Sequence, residues 1–526
     1  MNYEYQSVDL VILGGSLGGV AAAYSAAKMG LNIILTEETK WIGGQLTSQA
    51  VPPDEHPWIE KFGSTESYRT FRNKIRHYYK RNFPLTFEAY QDEYFNPGNA
   101  IVSNLSHEPK VALAVMYEML APFIHNKQLT IFTEHKLISA EAKSDRVESV
   151  KVLDLNNDKF KTFVAPMFLD ATETGELLPL AGIEYVTGSE SQKETGEPHA
   201  LKGEADPLDM QAITHCFAVD YVPNGDFTIE KPEQYDFWKE YKPSFWPGKL
   251  LDWVGVQPDT LESRPFTLFP DGKHFSLWEY RRLVSEKNFK KDSGFKDVSL
   301  INWQQNDYWL GPIFEVEEEE ARKHLEGAKQ LSLSLLYWLQ TDAPRFDGRG
   351  YGYPELRLRK DVVGTEDGLA MAPYIRESRR IRARFTVLEQ HVSAEVRGKH
   401  GAKKFDDSVG IGAYHIDLHP STGNRHYIDF SSLPFQIPLG ALIPIRVENV
   451  LPACKNIGVT HITNGCYRLH PVEWNIGEVA GYLSAYTLQQ NYKPKDVYEN
   501  KNLLSEFQRL LIKQGIELEW PHIHAL

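Results

Sequence analysis

The stretch GAYHIDLH places His415, Asp417 and His419 at alternate positions. In a β-strand, side chains two residues apart point to the same face, so these three are expected to lie side by side. They can form a base with its orienting carboxylate, a substrate-binding row, a structural polar row or a metal site. Because the rest of the sequence supplies no convincing set of metal ligands, we predict that the protein holds no metal.

A second cluster of charges lies in PYIRESRRI, where Arg376, Arg379 and Arg380 surround Glu377. If this segment is helical, Arg376 shares a face with the other two arginines at i+3 and i+4. One carboxylate cannot neutralise three guanidinium groups, so the surplus could bind a carboxylate or a polyhydroxylated substrate in a bidentate manner. The alternative is a structural network of ion pairs between two domains.

The elements that position such groups begin with DLVILGGSLGGVAAAYSAAKMGLNIILTEE, residues 9–38. The apolar runs at 9–13 and 31–36 predict buried strands, and the small residues at 17–29 predict a helix between them. This β-α-β unit carries a glycine-rich turn at the helix N-terminus, which is a binding site for the pyrophosphate of a dinucleotide.

The turn reads Gly14-Gly15-Ser16-Leu17-Gly18-Gly19, with a serine where G-x-G-x-x-G has its second glycine. Gly14 allows a tight turn, Gly19 allows close packing of helix and strand, and the Ser16 hydroxyl can donate to a phosphate oxygen. Glu37 follows Gly19 by 18 residues and is placed to accept hydrogen bonds from an adenosine ribose. The turn therefore predicts dinucleotide binding rather than a purely structural role.

A second glycine pair, Gly43-Gly44, follows in TKWIGGQLT. A second close approach of backbone to ligand suits a longer cofactor, so the pair favours FAD over NAD.

The later chain alternates in character. It predicts a helix at 109–126, a strand at 129–133, an antiparallel meander near 136–142, 147–154 and 160–169, and a helix at about 474–489. Residues 211 to about 430 are rich in Trp, Tyr, Pro and Arg, and their acidic run EVEEEEARK is typical of a solvated helix N-terminus. The pattern indicates a nucleotide-binding domain (1–210 and 430–495) split by an inserted substrate domain (211–429), with a C-terminal helical tail (496–526).

The composition of the whole chain argues against a nucleic-acid-binding, a disulfide-rich or a membrane protein. The 526 residues are enough for two or more domains, and the formal charge of −14 argues against a nucleic-acid surface. Cys216, Cys454 and Cys466 are too scattered for a disulfide framework and fit a reducing compartment. With no secretory signal and no long apolar span, we expect a soluble cytoplasmic protein that binds neither nucleic acid nor membrane.

Four segments follow one another along the chain: VILGGSLGGVAAA, LTEE, WIGGQLT and FLDATETGELLPLAGIEYVTGSE. In this order they resemble the FAD-dependent oxidoreductases, in the branch related to fumarate reductase flavoproteins. The resemblance extends over most of residues 9–486 through five further segments: SLWEYRRL, INWQQNDYW, GLAMAPYIRESRRI, DDSVGIGAYHIDLH and THITNGCYRLHPVEWNIGEVAGYL. It implies an α/β fold: a glutathione-reductase-like Rossmann FAD-binding domain with a three-layer sheet core, and an inserted α+β domain facing the flavin. No histidine lies at 37–50, where fumarate-reductase relatives attach flavin covalently, so we expect non-covalent FAD.

The resemblance also implies individual cofactor contacts. A helix that starts near Trp474 would point its N-terminus at the flavin N1 and C2=O edge, with backbone N–H groups of residues 475–477 as donors. Two motifs depart from the family: A-T-G reads Ala171-Thr172-Glu173, and A-G-D or A-G-R reads Ala453-Cys454-Lys455. The predicted cofactor-binding residues are Gly14, Gly15, Ser16, Leu17, Gly18, Gly19, Glu37, Gly43, Gly44, Gln45, Leu137, Ala171, Thr172, Cys454, Asn475, Ile476 and Gly477.

We predict an FAD-dependent oxidoreductase that transfers a hydride from a polar small-molecule substrate to flavin N5. His470, His415 or His419 is expected to accept the proton lost with the hydride, and Arg376 or Arg379 to orient the substrate. The alternatives are a monooxygenase or halogenase-like enzyme that uses reduced FAD and oxygen, and a non-catalytic flavin-binding protein. The substrate, electron acceptor and oligomeric state stay open, as does the role of INWQQNDY (Asn302, Trp303, Asn306 and Asp307).

Overall fold

The computed structural model describes residues 4–521. A parallel sheet of five strands forms its centre, in the spatial order Val450–Pro452, Met167–Asp170, Leu10–Leu13, Ile33–Thr36 and Leu129–Phe132. These strands are apolar runs without alternation because both faces of the sheet are covered. The first strand in this order comes from late in the chain, so the sheet joins its N-terminal and C-terminal portions.

The two faces of the central sheet pack against different layers. Leu10 and Ile12 belong to one core with buried residues of the helices Leu17–Lys28, Pro109–His125 and His470–Gln490. Val11 and Leu13 belong to another core with buried residues of a second sheet, whose spatial order is Glu4–Ser7, Lys159–Val164, Arg146–Asp154 and His135–Lys143. This arrangement confirms an α/β fold with a three-layer sheet core.

The predicted meander is present in the second sheet, with one correction. The segment expected at 160–169 forms two strands, Lys159–Val164 in the meander and Met167–Asp170 in the central sheet. Pro166 lies between them and has no N–H group to donate to a strand ladder, so the pairing changes sheets at that point.

The first helix and the long helix His470–Gln490 cross at very short range. A Cβ atom added at Gly477 would lie 2.0 Å from the Gly18 carbonyl oxygen, and one added at Gly481 would lie 2.1 Å from the Ser25 hydroxyl oxygen. The small residues of the first helix are therefore required by packing as well as by the turn that precedes it.

The middle of the chain forms an antiparallel sheet in the order Arg282–Val284, Val298–Ile301, Phe217–Tyr221 and Leu356–Leu358. A separate core rich in tryptophan packs this sheet against the helix Glu318–Thr341, whose first turn holds three glutamates as expected. The smaller strands are Val254–Val256, Ser263–Thr267 and Phe275–Ser276 in one sheet, and the pairs Tyr185–Val186 with Arg380–Ile381, Ser408–Gly412 with Phe435–Pro438, and Ile416–Leu418 with Ile428–Phe430.

The remaining α-helices are Glu66–Asn82, Phe87–Gln91, Leu177–Leu180, Gln192–Thr195, Tyr235–Glu240, Leu277–Tyr280, Lys360–Val363, Glu389–Val392, Ala394–Arg397, His461–Tyr467, Pro494–Glu499 and Lys501–Lys513. The short 3₁₀ turns are Gly44–Leu46, Glu286–Asn288, Lys291–Ser293, Gln304–Asn306, Gly398–His400 and Leu439–Leu442. The helix Lys501–Lys513 falls within the expected C-terminal tail at 496–526, and the helix Pro494–Glu499 begins two residues before it. Residues 522–526 of this tail lie outside the described part, and the domain division itself stays a prediction. Among the described residues, no helix combines the length and the apolar character needed to cross a membrane.

Candidate cofactor and active site

The glycine-rich turn has the geometry that its sequence predicts. Gly14 has a φ of +93°, and a Cβ atom there would lie 2.3 Å from the Ala171 carbonyl oxygen. A Cβ atom at Gly19 would lie 2.1 Å from the Gly14 carbonyl oxygen, so helix and strand meet at this residue. Ser16 caps the helix by accepting the Gly19 N–H at 3.2 Å, which leaves its own O–H free to donate.

Glu37 is fixed at the end of the second strand. Its carboxylate accepts the Gly15 N–H at 2.8 Å and both the N–H and the hydroxyl of Thr39, at 2.8 and 2.7 Å. Burial raises the pKa of Glu37 to about 7 despite these bonds. The side chain thus joins the glycine-rich turn to the strand end, where a ribose is expected.

A cavity of about 130 Å³ opens between the turn and the second sheet. Its walls include Gly14, Glu37, Gly44, Leu137, Ala171 and Thr172, all of which the sequence predicts as cofactor-binding residues. The walls combine the Glu37 carboxylate, bare glycine backbone and an apolar side chain. These residues fit the adenosine and pyrophosphate portion of FAD.

The second glycine pair continues this wall. Gly43 and Gly44 both have positive φ, +108° and +46°, and the Gly43 N–H donates to the Gly15 carbonyl at 2.6 Å. Gln45 comes next, and its buried amide donates to the Glu473 carboxylate at 2.5 Å and accepts from the Tyr374 hydroxyl at 3.2 Å. The pair therefore connects the cofactor cavity to residues of the C-terminal portion.

The two motifs that depart from the family pattern, Ala171-Thr172-Glu173 and Ala453-Cys454-Lys455, contact each other. The buried Lys455 ammonium forms an ion pair with Glu173 and lies 3.8 Å from Glu473 and 3.4 Å from the Cys454 sulfur. Glu173, Cys454 and Glu473 have the residue types of a metal site, and the Lys455 ammonium lies among them. Burial raises the pKa of Cys454 well above its ordinary value, so this cysteine is held as a thiol.

The long helix begins at His470, four residues earlier than expected. The backbone N–H groups of Asn475, Ile476 and Gly477 consequently lie in the helix interior, where they bond to the preceding turn. Their predicted role as donors to flavin is wrong for this reason, and the free N–H groups of the first turn belong to His470 and Val472. At the first helix, the Gly18 N–H donates to Glu473 at 3.1 Å, so Gly18 serves helix packing.

The arginine-rich segment is not helical. Residues 376–379 have no regular secondary structure, and Arg380 begins a short strand that pairs with Tyr185–Val186. The three guanidinium groups each meet a different carboxylate, at 3.1 Å for Arg376 with Asp307, 2.7 Å for Arg379 with Glu315, and 2.9 Å for Arg380 with Glu190. The expected surplus of positive charge is therefore neutralised by residues distant in sequence.

The histidine row lies on the short strand Ile416–Leu418 and its flanks. His415 Nδ1 lies 2.7 Å from Asp429 Oδ1, and His419 Nδ1 lies 2.6 Å from Asp307 Oδ2. Asp307 is buried, and the charges of Arg376 and His419 hold the pKa of its carboxyl group below the ordinary value although burial opposes them. The structure thereby gives a role to Asp307, which the sequence left unassigned.

His470 accepts a hydrogen bond at one ring nitrogen, so only its other ring nitrogen can donate. The Asp54 N–H donates to His470 Nδ1 at 3.0 Å, so the ring proton is assigned to Nε2. Burial lowers the pKa of His470 to about 3, which keeps the ring neutral. A neutral imidazole whose acceptor nitrogen is already bonded is poorly placed to take a proton from a substrate.

A line of polar contacts joins His419 to the cofactor cavity. His419 Nε2 lies 3.7 Å from Asp417, whose carboxylate accepts from Arg468 at 3.0 Å. Arg468 also donates to the Tyr374 hydroxyl at 3.2 Å, and Tyr374 contacts Gln45. Sequence reasoning missed Arg468 and Tyr374; the nearest signal was the position of Arg468 two residues before His470 in CYRLHP.

Replacing Glu37 with glutamine is expected to weaken FAD binding by roughly 5- to 30-fold, which corresponds to about 1–2 kcal/mol. The glutamine amide would turn an N–H donor toward either Gly15 or Thr39, and the charge-assisted bond to the ribose would be lost. Titration of FAD into the apoprotein, followed by flavin fluorescence, measures the affinity. Glu141→Gln, on an exposed strand position, is the matched control, and equal affinities in both variants would contradict the assignment.

Comparison with known proteins identifies the family of the chain. Residues 9–511 match the family described as FAD dependent oxidoreductase, whereas no curated protein matches. Among solved structures, L-proline dehydrogenase from P. horikoshii is 16% identical over 36% of this chain and 25% of its own, with a TM-score of 0.19. A geranylgeranyl bacteriochlorophyll reductase-like protein from Thermoplasma acidophilum is 10% identical over 97% of this chain and 85% of its own, with a TM-score of 0.33.

A third solved structure, p-nitrophenol 4-monooxygenase from Pseudomonas putida DLL-E4, is 12% identical over 72% of this chain and 70% of its own, with a TM-score of 0.30. The chain spans only a quarter of the length of the proline dehydrogenase that it matches. The family match, by contrast, covers nearly the whole sequence. The chain belongs to the FAD dependent oxidoreductase family, and it is an enzyme whose cofactor is FAD.

Proposed function

We propose that this enzyme removes a hydride from a polar small-molecule substrate and that His419 accepts the proton lost in the same reaction. The observation that carries the proposal is the pair formed by His419 Nδ1 and Asp307 Oδ2 at 2.6 Å. Because Nδ1–H donates to the carboxylate, Nε2 is left as the basic nitrogen. Asp307 is buried, whereas the His419 side chain is 20% exposed, so the ring can meet a substrate.

Asp307 fixes the tautomer of His419 and stabilises the imidazolium that forms when the proton arrives. Asp307 is itself held by the Thr214 hydroxyl at 2.5 Å and by Arg376 at 3.1 Å. Arg376 also donates to the Ala212 carbonyl at 2.8 Å, so it is a positioning residue rather than the substrate-orienting residue expected from the sequence. Arg379 pairs with Glu315 and the Thr174 carbonyl instead.

The bound FAD supplies the hydride acceptor. A substrate carbon that bears a hydroxyl or amino group loses a hydride, and the O–H or N–H proton passes to His419 Nε2. The product is then a carbonyl compound or an imine, and the two electrons and two hydrogens are accounted for. Asp417, at 3.7 Å from His419 Nε2, is a second carboxylate beside the base.

His415 is the weaker candidate for the base. It pairs with Asp429 rather than with the carboxylate that Arg376 and Thr214 hold. Although burial opposes it, the hydrogen bond that His415 donates to Asp429 raises the pKa of His415 above its ordinary value. A histidine that is more often protonated near neutral pH is less available to accept a proton.

An anaerobic screen of polar metabolites against the holoenzyme tests this function. We expect flavin absorbance to bleach on addition of a compound with an oxidisable hydroxyl or amino group, in the absence of NAD(P)H. If bleaching instead requires NAD(P)H and oxygen is then consumed, the enzyme is a monooxygenase and the proposal is wrong.

A further inference from the structure

A buried cation beside the His419 network has no part in the proton transfer. The Arg281 side chain is only 8% exposed, and its sole ion-pair partner among the described residues is Asp54, at 3.0 Å between NH1 and Oδ1. That contact lacks hydrogen-bond geometry, and Arg281 Nε and NH1 have no hydrogen-bond partner anywhere in residues 4–521. Buried charged donors without acceptors are costly and need an explanation.

Two neighbouring residues present further donors of the same kind. Arg468 Nε and His470 Nε2 are buried and likewise make no hydrogen bond within the described part of the chain. Asp54 connects these groups, because its Oδ1 lies 3.0 Å from Arg281 NH1 and its backbone N–H donates to His470 Nδ1 at 3.0 Å. Arg468 stands two residues before His470 in the chain, so the unpartnered N–H groups of Arg281, Arg468 and His470 belong to one neighbourhood.

The surroundings of this cluster favour an anion with an organic body. The phenol groups of Tyr374 and Tyr414 interact electrostatically with both Arg281 and Arg468. The Arg281 guanidinium also lies over the Tyr280 ring, 5.0 Å from its centroid. Two guanidinium groups and an imidazole N–H offer donors in number and kind suited to a carboxylate. The aromatic walls suit the carbon skeleton attached to it.

We propose that Arg281, Arg468 and His470 bind the carboxylate of the substrate, so that the substrate class is a small carboxylic acid with an oxidisable hydroxyl or amino group. This inference rests on the proposed function. Arg468 pairs with Asp417, which is 3.7 Å from His419 Nε2. A carboxylate held by Arg468 consequently leaves the remainder of a short substrate beside the base.

Isothermal titration of acetate into the oxidised holoenzyme tests the proposal, with acetamide as the neutral probe of the same shape. We expect saturable acetate binding, no comparable acetamide binding, and at least about tenfold weaker acetate binding in Arg281→Met. Asp54→Asn should bind acetate several-fold more tightly, because it removes the internal carboxylate that competes for Arg281. Equal binding of acetate and acetamide, or unchanged acetate binding in Arg281→Met, would overturn the proposal.

Two further variants keep the test decisive. If Arg281→Met does not retain FAD, Arg281→Lys replaces it; loss of the planar fork should still weaken acetate binding a few-fold, and unchanged binding counts against the site. His419→Asn should bind acetate as the parent does. If His419→Asn reduces flavin at the parent rate while acetate binding still depends on Arg281, the base is wrong and the substrate class stands.

Discussion

Replacing His419 with asparagine is expected to slow flavin reduction in a single turnover by roughly 10²- to 10⁴-fold, with FAD still bound. Asparagine can keep a hydrogen bond to Asp307 but has no nitrogen that accepts a proton near neutral pH. Anaerobic stopped-flow absorbance, with a substrate found in the screen, measures the rate constant. The ratio of flavin to protein in the same sample checks that the cofactor is retained.

His415→Asn is the matched control for this experiment. It removes a histidine from the other flank of the same short strand, and that histidine also bonds to an aspartate, at 2.7 Å. We expect the control to keep a rate within a few-fold of the parent, because His415 is not tied to Asp307. If the His419→Asn enzyme reduces flavin at the parent rate, or if the His415→Asn enzyme reduces it much more slowly than the parent, His419 is not the base.

The features that sequence reasoning predicted well are local. The strand Leu10–Leu13, the glycine-rich turn and the helix Leu17–Lys28 follow one another directly, and each has its own signal in period or residue type. Glu37 was found because its distance from Gly19 is fixed by one helix and one strand. Gly14 and Gly19 were assigned separate roles, and the positive φ of one and the close packing of the other confirm both.

The features that were missed depend on contacts between distant parts of the chain. Residues 376–379 contain good helix formers, yet Tyr374 forms a bridge with Thr214 and Arg380 pairs with Val186, and the segment between them is not helical. Tertiary pairing overrides a weak local preference here. The helix start was misplaced because Pro471 occupies its first turn rather than preceding it.

The substrate side of the site could not be assembled from sequence for the same reason. Asp54, Arg281 and Arg468 are separated by hundreds of residues, and no spacing rule connects them. The sequence singled out Asp307 and His419 independently, but the two residues are 112 positions apart in the chain and no spacing rule predicts their contact. Each arginine of PYIRESRRI has an ion-pair partner in another segment, which spacing cannot predict either, although Arg380 also pairs with the nearby Glu377 at 2.5 Å.

Replacing Gly19 with valine should have the largest effect on the cofactor domain. A Cβ atom at Gly19 would lie 2.1 Å from the Gly14 carbonyl oxygen and 3.1 Å from the Ala171 Cβ atom. The closer neighbour is backbone, so the clash is relieved only if the turn or the helix moves, and the β-branched side chain adds to the crowding. We expect the free energy of unfolding of the apoprotein to fall by at least about 3 kcal/mol, and the protein to purify without FAD.

Gly203→Val is the matched control, because no atom outside its chain neighbours lies within 4 Å of an added Cβ atom there. Urea unfolding of both apoproteins and the flavin content of both purified proteins give the comparison. Because one contact sets both the helix packing and the shape of the turn, Gly19→Val should lower stability and FAD occupancy together, whereas Glu37→Gln should lower affinity alone. A Gly19→Val protein that keeps full FAD occupancy would show that the turn is not where the cofactor binds.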